Sequence, residues 1–117
     1  MKRLTIANVL FNAFMVRWDA EHWEVHYHLQ PKRNEPLLLA TVDRDTHTVH
    51  MYPHPTGSAP EQSGLHEVIH IGLGLDGDKQ HESWTYYMES WLWKRLTKKQ
   101  RERLLEIFVH PMNNREP

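Results

Sequence analysis

The period of the hydrophobic positions changes along the chain, and the changes divide it into elements. Leu4, Ile6, Val9, Leu10, Phe11, Phe14 and Met15 recur at helical spacing and predict a helix over 4–15, although 11–16 would also suit an extended segment. The run 22–29 then alternates strictly. Trp23, Val25, Tyr27 and Leu29 fall on one side, His22, Glu24, His26 and His28 on the other, the mark of a half-buried strand. Residues 31–35 read as a turn. Residues 37–42 and 46–52 read as two further strands joined at Asp43-Arg44-Asp45, which makes a small antiparallel sheet with one solvated face.

After a loop at 53–57 the signals become helical. Ser58-Ala59-Pro60-Glu61 has the form of a capping box, with Pro60 in the first turn where its missing N–H costs nothing. The helix it opens carries Leu65, Val68 and Ile69 and frays at Gly72 and Gly74. Asp76-Gly77-Asp78 predicts a turn whose second aspartate caps a helix over 79–95. Thr97-Lys98-Lys99-Gln100 is a second capping box, opening a final helix that stops before Pro111. The expected fold is α+β: one domain, 1–117, with a small antiparallel sheet followed by three helices.

Composition narrows the function. A chain of 117 residues, 39% hydrophobic and 25% charged, suits one soluble globular domain. A net charge of −1 gives no reason to expect nucleic acid or an acidic membrane as partner. No apolar run approaches the roughly 20 residues that span a bilayer. The basic pair Lys2-Arg3 is followed by a stretch interrupted at Asn8 and Asn12, a poor signal peptide, so a cytoplasmic protein is expected. Cysteine is absent, which restricts any metal site to nitrogen and oxygen donors. Ten histidines are a marked excess; they raise the prior for a metal site and also the chance rate of any histidine motif.

His66-Glu67-Val68-Ile69-His70 turns that excess into a specific arrangement. On a helix, His66 and His70 project from one face about 6 Å apart, close enough to bind one Zn²⁺. Glu67 lies about 100° around the helix, beside the metal rather than on it, where it can act as general base and then acid. The metal lowers the pKa of a bound water and polarises a carbonyl. The competing reading is two histidines on a solvated helix face.

Three residues compete to be the third ligand. Glu82 and Glu89 are seven apart and share a face of the returning helix. A ligand helix must approach closely, and the small Thr85 three after Glu82 favours it over Glu89, which has Leu92 in that place. His81 would complete a three-histidine site but points about 100° away from Glu82.

These residues resemble a known family. Leu65 to His70, then a short glycine-bearing turn and His81-Glu82-Ser83-Trp84-Thr85-Tyr86, resemble the minimal zincin-type (HExxH) zinc metallopeptidases, above all the short proteins of this kind encoded in phages and prophages. The stretch 39–50 is similar to the strand pair that precedes their active helix. The resemblance spans about 23–95 and is specific only in the active helix. It implies a zinc peptidase acting on peptide or protein substrates, in the host-cell cytoplasm if phage-encoded. In zincins with the ligand glutamate on a second helix, a small residue commonly follows three later, which again favours Glu82. The chain departs from metzincins, with Leu73 where they need glycine, and from thermolysin-like enzymes, whose longer interval would point nearer to Glu89. No oxyanion-stabilising residue is assigned, though Tyr86 and Tyr87 are near.

Two other functions compete: an interaction protein in which zinc staples a small fold, such as a phage-type binder of a host factor, and a zinc hydrolase of non-peptide amides or esters. His22, His26, His28, His47, His50 and His54 are read as a polar sheet face rather than a second metal site. Trp84, Met88, Trp91 and Trp93 are read as core. The basic stretch Lys94, Arg95, Lys98, Lys99, Arg101 and Arg103 is read as a solvated helix end.

Overall fold

Thr5 opens the first helix, α1 (Ile6–Ala20), its hydroxyl accepting a bond from the Asn8 amide at 3.1 Å. The structure is a computed structural model that describes residues 5–74 and 79–113. The turn and cap expected at Asp76-Gly77-Asp78 lie outside the described residues. Helix α1 outruns the expected 4–15 because Trp18 continues the buried row of Ala7, Phe11, Phe14 and Met15. It ends at Ala20, and His22, with a φ of 55°, turns the chain toward the sheet.

Three short strands follow: β1 (Glu24–Tyr27), β2 (Ala40–Asp43) and β3 (Thr48–Met51), in the order β1-β3-β2. β2 and β3 form the expected antiparallel pair, their turn held by Asp43, whose carboxylate accepts from the amides of Asp45 and Thr46. The expectation of a wholly antiparallel sheet is wrong: β1 runs parallel to β3. The physical reason is the connection 28–39, which is far longer than a tight hairpin loop and makes its own turn at the Lys32–Glu35 bridge. It carries the chain past the place beside β1, and β3 fills that place. Val49 and Met51 are buried on one face of the sheet, and His26 and His50 pair on the other.

The capping box expected at Ser58 does not form. Helix α2 (Pro60–Leu73) begins one residue later, so Ala59 is the cap and the Ser58 hydroxyl donates instead to the Pro55 carbonyl at 2.7 Å. Pro60, with φ already suited to a helix, sets that start. Gly72 stays helical, and the helix stops at Gly74, which has a left-handed φ of 64°. Every residue from Gly64 to Ile71 is buried, because α1, β2 and the two later helices α3 (Lys79–Trp93) and α4 (Lys98–Phe108) pack around α2. Gly64 is what lets α4 close: a Cβ there would stand 2.3 Å from the Phe108 ring.

Both halves of the second capping box are present, Thr97 and Gln100 bonding each other's backbone amides. α4 stops before Pro111, which lies in a single further turn, α5 (His110–Asn113). On α3, Thr85 and Leu92 are fully buried and Glu82, Thr85, Glu89 and Leu92 share the face toward α2. Trp84 therefore faces outward at 57% exposure, against the expectation that it joins the core, whereas Met88, Trp91 and Trp93 pack on the core's edge. The basic stretch is not merely solvated: Arg95 and Arg101 lie over the Trp91 and Trp93 rings at 4.6 and 4.3 Å. The observed class is α+β, a small three-stranded mixed sheet with helices. No described helix is long and apolar enough to cross a membrane.

Candidate metal centre

Helix α2 puts three ionisable side chains, His66, Glu67 and His70, into the interior, each 6–7% exposed. A solvated histidine face is thereby excluded. Burying such groups is costly unless each finds a partner, so their surroundings must supply bonds. Helix α3 supplies them. The Glu82 carboxylate bridges the two rings, one oxygen 2.5 Å from His66 Nε2 and the other 2.9 Å from His70 Nε2. The rings are 4.9 Å apart between centroids, nearly perpendicular. One donor atom from each of His66, His70 and Glu82 lies within 4.8 Å of the others, and this group can hold a metal ion.

Glu89 does a different job from Glu82. Its Oε1 is 2.8 Å from His66 Nδ1, on the far side of the ring from Glu82, and its Oε2 accepts from the Gln62 side chain at 2.8 Å. With Nδ1 donating to Glu89, His66 presents Nε2 to the centre, as a metal-binding imidazole with a fixed tautomer does. His81 sits against the Trp84 ring at 6.1 Å and is outside the three-residue group. The spacing of seven between the glutamates thus gives two carboxylates on one ring, one at each nitrogen.

Charge and burial set the protonation of the site. Burial holds Glu67 protonated more strongly than usual, to about 7, with Glu82 and Glu89 adding to the rise and His66 opposing it. Burial disfavours charge on His66, yet the bond to Glu89 and the charges of Glu67 and Glu82 outweigh it and raise its pKa. The Tyr86 ring lies 4.4 Å from the His66 ring, and burial with the three nearby glutamates raises its phenol as well, so it remains a hydrogen-bond donor.

The centre opens onto a cleft of about 390 Å³. Its lining includes His66, Glu67, Glu82 and Tyr86 from the helices and Leu37 to Ala40, which runs into β2. His54 and Ser63 also line it, joined by a 2.9 Å bond, with His54 Nδ1 donating to the Tyr52 carbonyl at 2.7 Å. Burial lowers the pKa of His54 and keeps it neutral, the form that accepts from Ser63. Arg44 from the β2–β3 turn donates to the His70 carbonyl at 3.1 Å and ties the sheet to the end of α2.

Several of these residues escape a sequence reading. Gln62 was legible in principle, being four before His66 on the same helix face. Arg44, His54 and the 37–39 wall carry no local signal, because only the packing of sheet on helix brings them to the site. No family model, curated protein or solved structure matches the chain.

Proposed function

We propose that this chain is a zinc-dependent hydrolase, and within that class a metallopeptidase of the zincin type acting on peptide or protein substrates in the cytoplasm. The observation that carries the reading is the union of two features. Three metal donors of nitrogen and oxygen type converge, and two of them, His66 and Glu82, line one open cleft together with Glu67, a carboxyl group that is not among the donors. A purely structural site would be closed by protein on all sides. The donor set suits zinc: two imidazoles and a carboxylate, with one imidazole oriented by a second carboxylate.

Zinc bound by His66, His70 and Glu82 supplies Lewis acidity, which makes water more acidic and a carbonyl more electrophilic. Glu67, whose pKa burial raises in the metal-free chain, accepts a proton and returns it to a leaving amine. Glu89 and Gln62 keep the His66 ring from turning. Tyr86 offers a protonated phenol in the lining of the cleft, suited to a developing negative charge on a substrate oxygen. β2 is an edge strand, and the segment leading into it lines the cleft, so an extended peptide finds backbone partners and leucine side chains there.

A specific observation also favours the second reading, an interaction protein stapled by zinc. Trp84, Tyr86 and Tyr87 are exposed on α3, a concentration of aromatic surface suited to a partner. One experiment separates the two. The zinc-loaded chain and its Glu67→Gln variant are incubated with a mixture of peptides of all sequences, and new termini are read by mass spectrometry. The peptidase reading expects cleavage by the wild type and a loss of several orders of magnitude in the variant, with zinc retained. Equal cleavage by both removes Glu67 as the base; cleavage by neither removes the peptidase.

A further inference from the structure

The solvated face of the sheet carries a second convergence of histidines, apart from the cleft. β1 and β3 run parallel in a register that sets His26 beside His50. His28 lies two residues past His26 on the same face, its backbone amide donating to the Met51 carbonyl at 2.9 Å, so it flanks His50 from the other side. The three ring centroids are 4.7, 5.1 and 5.6 Å apart. His28 Nε2 and His50 Nδ1 stand 2.9 Å from each other. None of the three lines the cleft of the first centre.

We propose that His26, His28 and His50 form a second metal site, for copper(II). Two ring nitrogens already meet at a distance where one must present a lone pair to the other's proton. A cation in place of that proton takes a lone pair from each ring once the donating ring shifts its hydrogen to the outer nitrogen, and no net proton is released. The Tyr52 ring stacks on His28 at 4.6 Å and 12° and holds that imidazole in position. As the side chains stand, only two nitrogens converge. His26 is exposed, and a turn about its side-chain bonds brings the third. Glu24, on the same face two residues earlier, adds a negative charge that favours a cation. Imidazole nitrogens without thiolate, open to water, bind copper(II) most tightly among the divalent ions of this row.

The test uses copper(II) as the probe on the full chain. Bound copper per chain is measured after equilibration and gel filtration for wild type, for the His28→Gln/His50→Gln variant and for His22→Gln, a histidine outside the cluster. The double variant should hold one equivalent less than wild type, and the electron paramagnetic spectrum should lose a component split by more than one nitrogen. His22→Gln should match wild type. Because the reading is a difference between variants, it stands whether or not His66, His70 and Glu82 take a metal. Circular dichroism checks that the variants are folded, and the single variant His26→Gln, at an exposed position, should weaken copper binding without abolishing it. An unchanged copper count and spectrum in the folded double variant would overturn the proposal.

Discussion

Replacing Glu89 by alanine tests how the centre is built, because Glu82 bridges the two histidine rings whereas Glu89 meets only the outer nitrogen of His66. Glu89 is 8% exposed and bonds His66 Nδ1 and Gln62, both at 2.8 Å. Removing it leaves the buried Nδ1–H without its acceptor and frees the ring to turn. Loss of such an orienting partner lowers metal affinity by about 10-fold to 100-fold, or about 1.4–2.7 kcal/mol. In the metal-free chain the unpaired imidazole N–H costs about 1–3 kcal/mol of folding stability. Gln62 is half-buried and can regain water, so it adds less. Glu89→Gln, which keeps an acceptor for Nδ1–H, should fall between wild type and Glu89→Ala. Zinc affinity by competition with a chromogenic chelator and stability by urea unfolding give both numbers. If Glu89→Ala loses stoichiometric zinc while Glu82→Ala binds as wild type does, the two glutamates have been assigned the wrong way round.

Three further outcomes follow from the same geometry. In the metal-free chain, Glu67 carries a pKa of about 7 against 4.5 when unfolded, so the fold binds its proton more tightly. Its contribution is complete below 4.5 and lost as pH rises through 7, so Glu67→Gln should gain about 3 kcal/mol on wild type between pH 4.5 and 8; a pH-independent difference in urea stability contradicts this. Gly64→Ala should cost about 1–3 kcal/mol, because its methyl meets the Phe108 ring, and Phe108→Leu in the same chain should recover part of that; an unchanged urea midpoint would show that α4 yields freely. Glu82→Ala should erase most of the melting-temperature rise that zinc produces, and His81→Ala should leave it nearly whole; the reverse order would make His81 the ligand.

What the sequence made legible was local. The alternation of Trp23, Val25 and Tyr27 marked β1, and Thr97 with Gln100 marked the start of α4, because strand period and cap chemistry are properties of a few neighbouring residues. His66 and His70 on one helix, and Glu82 with Glu89 on one face of the next, followed from the same helical arithmetic. The direction of β1 did not, since it depends on where a twelve-residue connection lays the chain down rather than on any residue in the strand. Nor did the outward Trp84, whose apolar character predicts burial until the Glu82–Thr85–Glu89–Leu92 face claims the inside. The meeting of His28 with His50 was hidden for the same reason: His28 directly follows β1 and His50 lies on β3, and only the folded sheet defines how those strands pair.

Zinc content of the purified chain tests most directly whether His66, His70 and Glu82 hold one metal ion. After zinc reconstitution and dialysis against a weak chelator, elemental analysis should find about one tightly bound zinc per wild-type chain and almost none in a folded His66→Ala/His70→Ala variant. No tightly bound zinc in the wild type, or an equal amount in the double variant, would contradict it.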